Sequence, residues 1–263
     1  FHKLSRIKIR YFSNISKLAS ILMRNLIKVL FLLLAFALSL PAHSQQIRQY
    51  IDEDYEVENV FGITKATNGG LISGFYFRHS NFLGDNNLSH WGIEIVNIKH
   101  PREAKETTFT GSSFVFGKSN YLVSIRPTYG REKILFKKAP QQGARITGSV
   151  AVGPAIGMEI PYYIEISQSQ KEQYDPNNNQ HARPFIVGNA GPFRGLGESK
   201  FVLGAHGKAS LTFETNSTKK RVFGIELGFT VDAYTREINI MPLADNRSVY
   251  SAAFIAIYFG RRN

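Results

Sequence analysis

The segment 200-KFVLGAHGKASLTFETNSTKKRVFGIELGFTVDAY-234 decides how the rest of the chain is read. Alternate positions carry Phe201, Leu203, Ala205, Ala209, Leu211 and Phe213, while His206, Lys208, Ser210, Thr212 and Glu214 occupy the positions between. Beyond the polar NSTKK at 216–220 the alternation resumes: Phe223, Ile225, Leu227, Phe229, Val231 and Ala233 oppose Gly224, Glu226, Gly228, Thr230 and Asp232. Successive strand residues point to opposite faces, so this is a hairpin with one apolar and one polar face. Each apolar face is about as long as the ~9–11 residues a tilted strand needs to cross a bilayer. A turn centred on 217–218 predicts Lys208 opposite Glu226, or, with a small shift, Ser210 opposite Glu226.

A water-soluble lipocalin-like barrel or β-sandwich would turn the apolar face inward, and a membrane barrel would turn it outward. Three features favour the second. The polar face is rich in Gly and poor in long Lys and Glu side chains, as in a crowded interior. Aromatics (Phe201, Phe213, Trp91, Tyr121, Tyr129) stand towards the ends of apolar faces, where an interfacial girdle would place them. The last strand, 249-VYSAAFIAIYFGRRN-263, is almost wholly apolar and ends in Tyr258 and Phe259; its inward face is not assignable from pattern.

Period-2 alternation recurs along the chain and no long stretch has helical periodicity. It predicts strands near 56–66, 71–80, 89–99, 119–138, 143–167, 199–214, 221–235 and 249–262. Apart from the NGG turn at 68–70, connections alternate: short at 139–143 and 216–220, long at 100–118, 168–198 and 236–248. An up-and-down antiparallel transmembrane β-barrel with both termini in the periplasm puts every long loop outside. The count is eight strands; the long fourth and fifth can each be divided, which would give ten.

Residues 24–44, RNLIKVLFLLLAFALSLPAHS, read as a signal peptide: basic Arg24 and Lys28, an apolar run from Val29 to Leu40, Pro41, and the small-residue site Ala42-His43-Ser44, with cleavage before Gln45. The run is short for the ~20 residues of a spanning helix. Met23 stands directly before it, so 1–22 is expected to be upstream translated sequence, 23–44 the signal peptide, 45–55 an N-terminal segment and 56–263 the barrel. Seven of the 32 basic residues and none of the 20 acidic ones lie in 1–44, so the formal charge of +12 falls to +5 in the remainder. A nucleic-acid partner is thereby disfavoured. With no cysteine, disulfide scaffolds and Cys-zinc sites are excluded.

The strand pattern, signal peptide and near-terminal aromatic resemble small OmpX/OmpA-like outer-membrane barrels. The stretches RPTYGREKILFKK (126–138) and GPAIGMEIPYYIEI (153–166) are similar to segments of the PorT-like group. The resemblance covers roughly 56–262 and implies an outer-membrane location in a Gram-negative bacterium; its motifs are structural, so it transfers no functional residue.

Inward-facing ionisable residues form one candidate set: Arg78, Glu94, Arg126, Glu132, Glu159, His206, Lys208, Glu226 and Asp232, with Glu214 beside them. An eight-stranded interior is just wide enough to be filled by side chains, so these charges are expected to pair as an ionic core rather than line a solute path. His206, Ser210 and Glu214 include the residue types of a hydrolase, but neighbours four residues apart on a strand lie ~13 Å apart. No HExxH or EF-hand spacing occurs, and no catalytic residue, cofactor or metal is expected. The loop 168–198 is the second candidate, with Tyr174, Phe185, Ile186, Phe193 and Leu196 either anchoring it over the barrel mouth or presented to a partner. The sequence thus predicts a non-enzymatic barrel with a structural, adaptor or ligand-binding role. Its expected partners are outer-membrane lipid and another envelope protein or extracellular ligand. The alternatives are a lipid-modifying enzyme and a small pore.

Overall fold

The computed structural model describes residues 56–263 other than 109, 138–143, 167–169, 192–193 and 215–219. The expected signal peptide and N-terminal segments lie outside the described residues. Eight antiparallel strands form the ring: β1 Val57–Ala66, β2 Gly74–Gly84, β3 Asn87–Ile98, β4 Asn120–Phe136, β5 Arg145–Pro161, β6 Lys200–Glu214, β7 Arg221–Ile238 and β8 Arg247–Arg262. Each pairs with its neighbours in sequence, and β1 also pairs with β8, closing the barrel without an edge. Both ends of the described barrel chain and the connections β2–β3, β4–β5 and β6–β7 fall at one end; the long connections gather at the other.

Two boundaries differ from the sequence expectation for local reasons. The polar stretch 81–88 reads as a loop, yet β2 and β3 run on to a two-residue turn in which Asp85 (φ 49°) and Asn86 (φ 63°) adopt the left-handed backbone that joins twisted strands. The expected strand 143–167 divides at Pro161. Tyr162 donates its N–H to Ser119 O at 2.7 Å, and Tyr163–Glu165 joins a separate small sheet.

β1 to β7 turn their apolar parity outward, and β8, apolar on both faces, turns Ile255, Ile257 and Phe259 outward. Phe201, Leu203 and Phe229 are 65%, 63% and 70% exposed, whereas Glu226 and Asp232 on the opposite parity are fully buried. That arrangement would be unstable in water and suits hydrocarbon outside and a closed polar interior. Ring contacts extend an aromatic row from Phe259 through Phe61 (6.3 Å) and Phe77 (4.9 Å) to Trp91 (5.6 Å). Tyr121 belongs elsewhere: it packs on Tyr162 at 5.2 Å in the loop layer rather than in a girdle.

On β8 the inward face carries Tyr250, Phe254 and Tyr258, alternating with Ala252 and Ala256. Room for such rings comes from glycine on the neighbouring strands. A Cβ on Gly62 would lie 2.1 Å from Tyr76 Cε1, and one on Gly224 would lie 2.6 Å from Tyr258 Oη. The crowded interior inferred from inward glycine therefore has a specific origin: tyrosine rings lie across the bare backbone of the adjacent strand.

The hairpin register departs from the expectation. Thr212 lies opposite Glu226 and Lys208 opposite Thr230, so neither Lys208 nor Ser210 faces Glu226 directly. Both side chains reach Glu226 diagonally along the paired strands instead.

Candidate functional site

Eight of the nine candidate lumen residues form one connected chain. Glu226 on β7 accepts from Tyr76 Oη at 2.8 Å and Ser210 Oγ at 2.7 Å, and lies 3.0 Å from Lys208 Nζ and 3.6 Å from Arg78 Nη1. Arg78 continues to Glu132 at 3.3 Å, which His90 Nδ1 approaches at 3.0 Å. In the other direction Lys208 Nζ reaches Glu94 Oε1 at 2.6 Å, and Glu94 Oε2 lies 3.6 Å from Arg126 Nη1. Arg126 pairs with Asp232, whose other oxygen meets His206 Nδ1 at 2.9 Å. Lys208 Nζ also sits over the rings of Tyr76 (4.8 Å) and Phe254 (4.7 Å). Long side chains reach several strands across a narrow lumen, so direct cross-strand opposition is not needed. Each of these charged side chains lies within 4 Å of an opposite charge, the first condition under which burial is tolerable, although Arg78 Nε and Arg126 Nε have no hydrogen-bond partner among the described residues.

Glu159, the ninth residue, stands apart. It accepts two hydrogen bonds of 2.9 Å from the Arg236 guanidinium at the loop end and lines the cleft described below. Of a second ionic layer near the short-turn end, sequence reading singled out Glu214 alone. There Arg262 donates to Glu58 at 2.7 Å and to Glu214 at 3.0 Å, with Arg145 Nη1 3.8 Å from Glu214. Glu58 and Arg145 have the inward parity of Val60 and Thr147, but they stand beside strand ends, where pattern alone separates lumen from rim poorly. Arg262 lies on the strand whose inward face the pattern left unassigned.

His206, Ser210 and Glu214 are held by three different partners: Asp232, Glu226 and Arg262. Among the described residues no group of three or more His, Asp or Glu is placed to hold a metal. Among the described residues, spaces of about 10 Å³ lie between the charged side chains beside Glu94 and Arg126 and beside Arg78 and His90. Each is about the size of one water molecule. Towards the loops, Ile98, Leu122, Val202, Ile238 and Ile240 pack into an apolar plug. In a planar bilayer the purified protein is expected to give no steady conductance of porin size; reproducible open channels would revive the pore alternative.

The long loops build a folded layer above this plug. Lys105–Thr107 pairs with Ser113–Val115, and Tyr163–Glu165 is flanked by Lys171–Gln173 and Gly188–Asn189. Phe114, Tyr162, Ile164, Tyr174 and Ile186 form its core. Lys118 is buried beside Glu103 (2.7 Å) and over the Tyr121 ring (4.3 Å); burial lowers its pKa even though Glu103 opposes the shift. The two readings of the candidate loop residues divide between them. Tyr174 and Ile186 are anchors, 4% and 1% exposed, whereas Phe185 and Leu196 are 57% and 43% exposed. Phe193 lies outside the described residues.

Between this layer and the barrel rim opens a cleft of about 800 Å³. Its lining mixes Glu159, Asp175 and Glu198 with Lys200 and Arg236, and Tyr174 contributes an aromatic wall. Tyr163 Oη, beside it, donates to Glu198 at 2.9 Å. The wall is charged in both senses and partly apolar, which suits a polar ligand with both donors and acceptors.

No protein-family model and no curated protein matches the sequence. Among solved structures, the chain is similar to Ail, the attachment invasion locus protein of Yersinia pestis, in complex with the heparin analogue sucrose octasulfate. The identity is 9% and the TM-score 0.38, over 79% of this chain and 97% of that one. It is also similar to the N-terminal β-barrel domain of Pseudomonas aeruginosa OprF (11%, TM-score 0.32, 80% and 98%) and to the outer membrane protein OprG of the same organism (9%, TM-score 0.35, 80% and 96%). The closed ladder of this chain by itself establishes the eight-stranded antiparallel barrel.

Proposed function

We propose that the protein is a non-enzymatic outer-membrane barrel of a Gram-negative bacterium whose loop layer binds an extracellular ligand or a second envelope protein. The observation that carries this reading is the loop layer itself. A connection that only closed a barrel would need no core of its own, whereas here five buried apolar residues hold a shaped cleft at the mouth. Below the cleft the described residues form an apolar plug and a paired ionic lumen whose spaces measure about 10 Å³, which supports recognition at the loop end. Exposed Phe185 and Leu196 supply the apolar contacts typical of a protein partner.

Affinity capture from detergent-solubilised envelopes tests it. The parent chain is expected to retain a stable companion, and Phe185→Ser together with Leu196→Ser is expected to reduce its recovery at least tenfold, a loss of about 1.4 kcal/mol, while the barrel still migrates as folded. Recovery of no companion above background, or of the same companion by a chain lacking loop 170–191, would refute the role assigned to the loops.

A further inference from the structure

On the outer wall, Arg131 and Lys133 point away from the lumen on β4, between Tyr129 and Leu135. Both are exposed, and neither forms an ion pair with another described residue. Beside them runs a groove of about 660 Å³. Strand pairing lays out its walls: one row passes from Arg131 through Val150 and Ala209 to Phe229, the next from Lys133 through Gly148 and Leu211 to Leu227. Small residues make the floor. The three atoms nearest a Cβ built on Gly148 belong to the Leu135 and Leu211 side chains, at 3.5–3.8 Å, which is ordinary contact distance.

The groove changes polarity along its length. At the β4 end the neighbouring outward positions on β3 are Ser89 and Asn87, opposite Arg131 and Lys133, marking the lower polar edge of the apolar belt. On β7 that edge is Arg221, and Phe229 lies well above it, past Phe223, Ile225 and Leu227. Because barrel strands tilt, the rows climb from the polar edge on β4 into the middle of the belt on β7. Two cations at headgroup depth therefore adjoin an apolar channel that rises into the acyl region.

We propose that this groove seats an anionic glycerophospholipid of the periplasmic leaflet, its phosphate between Arg131 and Lys133 and one acyl chain along Gly148, Val150 and Ala209 against Leu227 and Phe229. A guanidinium and an ammonium together match a phosphate oxygen cluster bearing net negative charge. A cation near an anionic membrane surface is worth roughly a fivefold gain in binding, and two act here. The proposal rests on the membrane-spanning reading of the barrel.

Native mass spectrometry of the detergent-solubilised folded barrel, titrated with phosphatidylglycerol or phosphatidylcholine of the same chains, tests it. Parallel insertion into vesicles, read as heat-modifiable gel migration, reports folding. The parent is expected to retain phosphatidylglycerol at least tenfold better than phosphatidylcholine. The double variant R131Q/K133Q should abolish that preference, with each single variant losing about fivefold. Ala209→Phe, which fills the floor and leaves both cations in place, should weaken retention of both lipids while the variant still inserts. A parent that inserts but shows no preference, or an R131Q/K133Q variant that keeps it, overturns the lipid site alone. Cross-linking of two copies through the groove would also overturn it, in favour of a self-association surface. A parent that fails to insert overturns the membrane reading as well.

Discussion

Ile257→Arg is expected to destabilise the folded barrel in lipid vesicles by about 2–4 kcal/mol, the range for a basic residue placed at mid-depth on the lipid face of a barrel. Ile257 is 53% exposed and stands between Ile63 on β1 and Ile225 on β7 in the ladder, with apolar neighbours on both sides. If water bathed this surface, replacing an exposed isoleucine would change stability by no more than about 0.5 kcal/mol. The two environments therefore differ by several-fold in a single measurement. Ser89→Arg, at the polar edge, provides the matching control and should cost about 0–1 kcal/mol. Trp91, the sole tryptophan, lies on the outward face, so its fluorescence during urea titration reports unfolding and loss of lipid contact together. Equal, small effects of Ile257→Arg and Ser89→Arg would show that the apolar belt does not meet hydrocarbon.

That belt was the most legible feature of the sequence, and the reason is geometric. Strand side chains alternate strictly, so a lipid-facing stripe stays in phase for the whole crossing, as Phe201 to Phe213 and Phe223 to Ala233 do. Strand number and the gathering of long loops at one end followed from the same alternation. Local irregularity was harder to read. Asp85 and Asn86 look like loop residues until their left-handed backbone is seen to close a tight hairpin, and Pro161 ends a barrel strand within a run of β-prone residues. Register was misread because the turn fixes which residues oppose each other, and composition at 215–220 gives no turn geometry.

The candidate sites divide in the same way. Inward parity singled out the charged residues of the lumen, but not their connections, which depend on side-chain reach across strands distant in sequence: Arg78 to Glu132, Lys208 to Glu94, Arg126 to Asp232. Of the layer formed by Glu58, Arg145, Glu214 and Arg262, pattern reading picked out only Glu214, because the layer brings together the ends of four strands. For the loop 168–198, hydrophobicity alone did not separate anchors from exposed residues. Tyr174 and Ile186 are drawn into a core with Phe114 and Tyr162 from other segments, which no local pattern encodes.

Glu226→Gln is expected to lower the stability of the barrel by about 3–5 kcal/mol, the cost of removing one partner from a buried ionic cluster. The carboxylate has no solvent exposure and is the junction of four side chains: Tyr76, Ser210, Lys208 and Arg78. Glutamine keeps the shape and one acceptor oxygen but leaves Lys208 with Glu94 as its remaining carboxylate and Arg78 with Glu132. Each of the two cations thus loses one of its two carboxylate neighbours where water cannot replace it. Lys208→Met alone removes the opposite charge, leaving Glu94 and Glu226 short of a shared cation; it too should destabilise the barrel, though by less, because Arg126 and Arg78 still adjoin those carboxylates. The double variant removes one charge of each sign and should recover part of the combined loss, with a coupling of about 1–3 kcal/mol in the cycle. Urea unfolding of the four chains in the same vesicles measures all three quantities. Additive losses would mean that Lys208 and Glu226 do not interact despite their 3.0 Å separation. If both single variants matched the parent, the lumen would have to be open to bulk water, because only water at that depth could replace the missing partner at no cost in free energy.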